Sequence, residues 1–326
     1  MFKKKLIVMI MFYFGAVSPY FDLWRRSAEM NTDFTFYLYT DMELDLTGSP
    51  NVVLKKTTWE DMKKRVHQKL GPHVVLNKPY KLCDYRTAYG LIFEEDIRDF
   101  DFWGIGDLDV IYGNLNHFIS QEMLEQYDKL YYHGPFQLFR NSEKMRYLFK
   151  QHYPNIQDCE YAFSTNYICH FDETGTTAWA SEYDDSIKMY FNPDFYDPLF
   201  SSYRLKKWDP EKKWDPDKEC YVVWSGRLLT QYWDRGNRSK EVMYVHLMRR
   251  KMIDRITPGN RDFAIIRNQF VDVDAVQEML DRPDVEEEKA WNRDKKKRRK
   301  KDIVSNILSG ALRDRAYTYI HKIKKK

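Results

Sequence analysis

The chain has 326 residues, with 53 Lys or Arg, 49 Asp or Glu, 43% hydrophobic and 16% aromatic residues. Such a length buries one large core or two smaller ones, and the aromatic content excludes a disordered chain even though 31% of residues are charged. Thirteen glycines and twelve prolines are too few for a collagenous or low-complexity protein.

The formal charge of +4 is unevenly spread. Residues 289–326 hold 15 basic and 3 acidic groups, while the other 288 residues hold 38 basic and 46 acidic. A mildly acidic body therefore ends in a strongly basic tail, which suits an anionic partner, either a lipid surface or nucleic acid, the alternative being a merely solvated tail. The four cysteines (Cys83, Cys159, Cys169 and Cys220) form no C-x-x-C pair, which argues against a disulfide framework or zinc cluster and fits a reducing cytoplasm.

In chain order, the apolar run 6–14 follows Lys3, Lys4 and Lys5 in the manner of a signal peptide. No small-residue cleavage site follows cleanly, and the turn from Gly15 to Tyr20 marks the run as a first core strand. A helix is expected over 20–30, strands over 34–39 and 52–54, and a helix over 58–70 opened by a Thr58/Asp61 capping box. A further helix over 80–96 leads to a strand over 100–106. Strands alternating with helices predict an α/β fold whose mostly parallel sheet is flanked by helices and binds ligands at its strand carboxyl ends. Later, strand-like runs are expected at 167–171, 222–224 and 242–247, and the repeated Trp208-Asp209-Pro210 and Trp214-Asp215-Pro216 read as a surface hairpin or loop. Residues 303–323 space Ile303, Ile307, Leu308, Leu312, Ala316, Tyr319, Ile320 and Ile323 as one helix face, with Arg313, Arg315, Lys322 and Lys324 on the other. A basic amphipathic helix after a polybasic run is the pattern of an interfacial membrane anchor.

The sharpest chemical feature is Phe102-Trp103-Gly104-Ile105-Gly106-Asp107-Leu108-Asp109. Carboxylates at i and i+2 of an extended segment point to one side. At the end of a buried strand they make a hard-oxygen site for Mn²⁺ or Mg²⁺, and such an ion holds a diphosphate; the alternative for the pair is a solvated loop.

Tyr13-Phe14-Gly15, Pro19-Tyr20-Phe21 with Trp24, and Tyr39-Thr40-Asp41 carry a resemblance, continued by the blocks 78–90 and 101–114. Over roughly residues 6–255 the chain resembles a family of bacterial polysaccharide-locus glycosyltransferases, long labelled a domain of unknown function (DUF6625-like) and similar to GT-A nucleotide-sugar transferases. One departure is Thr87, where that family usually carries proline.

The resemblance implies a GT-A-like domain over 1–283, with a nucleotide-sugar half of about 1–130 and an acceptor half of about 131–283, followed by the tail 284–326. It places Phe14, Gly15 and Ala16 against the nucleotide, Asp41 near the base, Asp84 at ribose or sugar, and Lys81 or Arg86 near the diphosphate. A helix surface laced with charge pairs is the alternative for the last three. Asp107 would hold ribose or metal and Asp109 the metal, with His246 as third ligand and Arg249 or Lys251 facing the departing diphosphate. On the acceptor side, Asp172 and Glu173 would take the hydroxyl proton, with Asp158 and Glu160 competing. The segment 133–136, with Arg140 and Asn141, resembles a sugar-pocket loop.

The implied activity is transfer of a hexose from a nucleotide diphosphate sugar, foremost a UDP-sugar, to a lipid-linked glycan in cell-surface or capsular polysaccharide synthesis. The enzyme would be cytoplasmic and peripheral on the inner face of the plasma membrane. Two other classes stay open: a metal-dependent phosphodiesterase or nuclease with a nucleic-acid-binding tail, and a non-catalytic membrane-associated binding module.

Overall fold

The computed structural model describes residues 5–192, 194–198, 202–206, 219–248 and 250–308. The first apolar run is β1 (Ile7–Tyr13), and it is apolar throughout because both of its faces are covered. Val8 and Ile10 enter one core, whereas Ile7, Met9 and Met11 enter a second core on the opposite face. The helix Phe21–Glu29 covers the second core with Phe21, Trp24 and Ala28. The helix Trp59–Leu70 covers the first with Met62 and Val66. Thr58 caps that helix by accepting the Asp61 N–H at 3.1 Å.

The next strands are β2 (Phe34–Thr40), β3 (Val52–Lys56), β4 (Phe102–Gly106), β5 (Val110–Tyr112), β6 (Lys129–Leu130), β7 (Phe136–Arg140) and β8 (Met189–Tyr190). The main sheet has the order β3-β2-β1-β4-β7-β6-β8, with β7 alone running against the rest. The protein is thus α/β with a mostly parallel sheet flanked by helices. The chain moves outward from β1 to β3 and returns to place β4 on the other side of β1. That reversal is the topological switch point where open α/β sheets hold ligands, outside the strand carboxyl ends. Residue 130, the expected boundary between halves, falls inside this one sheet.

A second sheet contains β9 (Leu205–Lys206), β10 (Glu219–Ser225), β11 (Leu228–Trp233) and β12 (Arg238–Glu241). After the separate β13 (Tyr244–His246), it is completed by β14 (Ile253–Arg255), β15 (Phe263–Ile266) and β16 (Gln269–Val271). β13 pairs antiparallel with β5, placing His246 opposite Val110.

Two local expectations are corrected. Over 80–96 there is no single long helix: Pro79–Ala88 is a 3₁₀ segment followed by the short helix Tyr89–Ile92. Seven of its residues, from Lys81 to Ala88, are buried, so the segment has no solvent face around which an amphipathic helix would form. The stretch 167–171 is not a strand. The Asp84 carboxylate accepts the backbone N–H groups of Cys169 and Phe171, His170 turns left-handed at φ 52°, and the helix Phe171–Thr174 starts at once.

The C-terminal helix begins earlier than expected and runs Val285–Leu308. It is fastened to the body by buried Trp291, over which Arg250 lies at 5.1 Å, and by an ion pair of Lys251 with Asp294 at 3.0 Å. The rest of the expected amphipathic helix and the tryptophan hairpin at 208–216 lie outside the described residues. Among the described residues no helix is long and apolar enough to cross a membrane.

Lys129 on β6 is fully buried, donates to the Thr177 carbonyl at 2.7 Å and stands over the Phe139 ring. Burial pulls its pKa down from 10.5 to about 7, against the opposing pull of Asp172. The unfolded chain keeps that proton to higher pH, so the lysine weakens the fold most at neutral pH and below, and less as pH rises toward 10. In thermal melts, the stability of Lys129→Met relative to wild type is expected to fall by about 3 kcal/mol between pH 6.5 and 9.5.

Candidate active site

Asp107 and Asp109 lie in the short connection between β4 and β5, at the carboxyl end of β4. The β5–β13 ladder brings His246 to them from 137 positions further along the chain. The ladder extends past its last pair, since the Leu247 N–H donates to the Asp109 carbonyl at 2.7 Å. Tyr196 bridges β13 from the other side, its N–H on the Tyr244 carbonyl and its own carbonyl on the His246 N–H. The residue after it, Asp197, reaches the same imidazole.

One ligand atom from each of Asp107, Asp109 and His246 falls within a span of 4.8 Å. His246 Nε2 is 3.5 Å from Asp109, and Asp197 stands 2.8 Å from Nδ1, off the line of an ideal hydrogen bond. Two carboxylates and one imidazole form a donor set suited to Mn²⁺ or Mg²⁺. A carboxylate behind the far ring nitrogen is the arrangement that orients a ligating histidine. Burial pulls the His246 pKa down, but Asp109 and then Asp197 more than reverse this, so it stands well above the ordinary histidine value. The imidazolium thus balances part of the negative charge of Asp109 and Asp197, and a cation ligated here would displace its proton.

Arg86 joins this cluster to a second one. Its guanidinium pairs with Asp107, contacts Asp172 at 3.2 Å and donates to the Gly134 carbonyl at 2.8 Å. Burial raises the Asp107 pKa, the Arg86 charge opposes this, and Asp109 adds to the rise. Asp172 is pushed up to about 7, chiefly by burial, with Arg86 pulling the other way. Glu173 accepts the Gly134 N–H at 2.8 Å. A Cβ at 134 would sit 2.9 Å from the Glu173 carboxylate and 3.1 Å from that of Asp172, so a larger residue there would push these side-chain ends aside.

The other expected residues divide. Phe14 follows β1 and meets Trp59 edge-on, while Gly15 and Ala16 are exposed at the switch point. Gly15 has φ +126° with open space where a Cβ would lie, so the backbone turn, not crowding, calls for glycine. Asp41 is exposed after β2. Lys81 and Asp84 require a correction, since both side chains are 0% exposed and form an internal ion pair at 2.7 Å. Lys81 also donates to the Ala162 and Tyr167 carbonyls, so its buried charge tethers loops. Lys251 is occupied with Asp294, and Arg249 lies outside the described residues. Asp158 caps the helix Cys159–Ser164, Glu160 is exposed, and Arg140 and Asn141 bind nearby backbone carbonyls. Sequence reasoning missed Asp197, a lone acid with no motif around it, which only strand pairing brings to His246.

Because Asp172 holds its proton to about pH 7 when folded but to about 4 when unfolded, it weakens the fold progressively as pH climbs between those values. Asp172→Asn removes that dependence. Its stability relative to wild type is expected to rise by about 2–3 kcal/mol from pH 5 to pH 8 in thermal melts.

No curated protein matches the chain in sequence. Among solved structures it is similar to a glycosyltransferase involved in the glycosylation of the major capsid of PBCV-1, with 9% identity, a TM-score of 0.32, and 59% of this chain and 85% of that one covered. It is also similar to the glycosyltransferase GlyE of Streptococcus pneumoniae TIGR4, with 11% identity, a TM-score of 0.28, and 57% of this chain and 45% of that one covered. Likeness at this level carries no argument about activity. The sequence match is of another order: it runs over residues 9–274, and by it the chain belongs to the family described as a family of unknown function, DUF6625.

Proposed function

We propose that the protein is a divalent-cation-dependent glycosyltransferase that moves a hexose from a nucleoside diphosphate sugar, foremost a UDP-sugar, to a glycan acceptor in cell-surface polysaccharide synthesis. The observation that carries this reading is the convergence of Asp107, Asp109 and His246 at the carboxyl end of β4, beside the switch point formed with β1.

Asp107, Asp109 and His246 would hold Mn²⁺ or Mg²⁺, which when bound supplies positive charge against the diphosphate. Phe14, Gly15 and Ala16 form the lip beside β1 where the nucleotide lies. In the transfer, the acceptor hydroxyl oxygen bonds to the anomeric carbon. The bond from that carbon to the diphosphate oxygen breaks, and its electron pair leaves with the nucleoside diphosphate. The hydroxyl proton passes to a carboxylate at the acceptor side, where Asp172 and Glu173 are held by Arg86 and Gly134. A pKa near 7 suits Asp172 to give and take a proton near neutrality.

The C-terminal helix supports a location on an anionic membrane surface. Trp291 and Arg298 face the body. Lys296, Lys300, Ile303 and Ile307, at spacings of four and three, lie on the opposite, exposed side. Vesicles containing phosphatidylserine should therefore retain the protein in sedimentation, with retention falling as salt rises and on Ile307→Asp; equal retention by neutral vesicles would remove this location.

The activity itself is tested with a panel of nucleotide sugars and Mn²⁺ or Mg²⁺. One donor should raise the melting temperature only with metal and release nucleoside diphosphate. Asp109→Ala should weaken that donor by tenfold or more, about 1.4 kcal/mol, while its own melt stays cooperative. A wild-type protein that binds no donor with either metal would defeat the proposal.

A further inference from the structure

We propose that Tyr132, Trp179 and Phe191 form a stacking platform for a pyranose ring of the acceptor, next to the carboxylates of Asp172 and Glu173. The acceptor role rests on the transferase reading above, whereas the saccharide site stands on its own geometry.

The three aromatics come from separate elements that end at one edge of the main sheet. Tyr132 follows β6 and Phe191 follows β8, both strands running with β4, so the rings emerge on the same side as Asp107. Trp179 ends the short helix Thr176–Trp179, six residues after Glu173. The Tyr132 ring centroid lies 5.7 Å from that of Phe191 and 6.4 Å from that of Trp179. Trp179 and Phe191 remain 37% and 38% exposed, so large apolar rings are kept in water beside a polar cluster.

This group is locked to the acids. Gly134, two residues after Tyr132, is the residue that binds Glu173. The Gln137 amide donates to both the Tyr132 and Asp172 carbonyls, at 3.1 and 3.0 Å. Trp179 and Phe191 are inclined at 40° and 57° to the Tyr132 ring, and exposed rings of this kind, linked through the 132–137 loop to Asp172 and Glu173, match one ligand class well. A pyranose has a C–H face that packs on a ring and a rim of hydroxyls that donate. An anionic lipid headgroup would instead meet Asp172 and Glu173. The platform, at the ends of β6 and β8, is separated from β1 by β4 and β7, on the side of Asp107 away from Phe14 and Gly15, which sets it apart from the nucleotide end.

Saturation-transfer NMR on the full chain tests this, with methyl glycosides of glucose, galactose, mannose and N-acetylglucosamine and with maltose, cellobiose and lactose as probes. At least one sugar should receive saturation on its ring C–H protons. Trp179→Ala and Phe191→Ala should each weaken it about tenfold, while Tyr147→Ala, an exposed aromatic elsewhere, should leave it unchanged. All variants should keep wild-type melts and UDP–Mn²⁺ binding. Failure of every sugar to bind, or binding indifferent to both platform variants, overturns the proposal. Displacement of the sugar by UDP also overturns it and assigns the rings to the donor base. Platform-dependent sugar binding in a wild type that binds no nucleotide sugar of the panel with Mn²⁺ or Mg²⁺ upholds the saccharide site and defeats the transferase reading.

Discussion

A single guanidinium holds this site together. Asp107, Asp172 and the loop at Gly134 come from three distant stretches of chain, and each is partly or wholly removed from water, where a lone carboxylate would take up a proton. Arg86 offers its donors to all three. Burial opposes its charge, but Asp107 and then Asp172 more than offset this, and its pKa is raised further. Arg86 also fixes the spacing between the acids at the end of β4 and the acids on Phe171–Thr174. On the proposed reading it therefore aligns the donor side with the acceptor side. Lysine could not fill this role with one ammonium, because the contacts diverge across a planar fork.

Legibility in the sequence followed the range of the interactions. β1, β2, the helix Trp59–Leu70 and its Thr58 cap were readable because apolar period and capping are local. The acids at 107 and 109 were readable because a buried strand ending in carboxylates is itself a signal. The segment Pro79–Ala88 was misjudged because its form is set by burial on nearly all sides and by the bonds of Lys81 and Asp84 to residues about eighty positions away. Asp197 and the rings of Tyr132, Trp179 and Phe191 left no trace in local pattern. What unites them is the pairing of β13 with β5 and the order of β6, β7 and β8.

The second sheet sets the C-terminal helix through its attachments. Arg267, fully buried in the turn between β15 and β16, pairs with Asp284 and with Glu219 of β10 at 2.7 Å. Asp284 directly precedes the C-terminal helix and also takes Arg282. This network and Trp291 fix the angle at which the basic helix leaves the body, so its cationic stripe has a set orientation relative to the sheet. A buried network of this kind contributes orientation more surely than net stability.

The pairing of β5 with β13 has a consequence for how the molecule comes into being. Two of the three candidate ligands are made early in synthesis, and the third arrives only after another 137 residues have followed. A nascent or half-folded chain therefore presents an acidic pair with no imidazole, a poor trap for ions. Contacts of such long sequence separation form late, because loop closure must precede them. The histidine strand acts as a completion check, since the three candidate ligands come together only in molecules in which β13 has paired with β5.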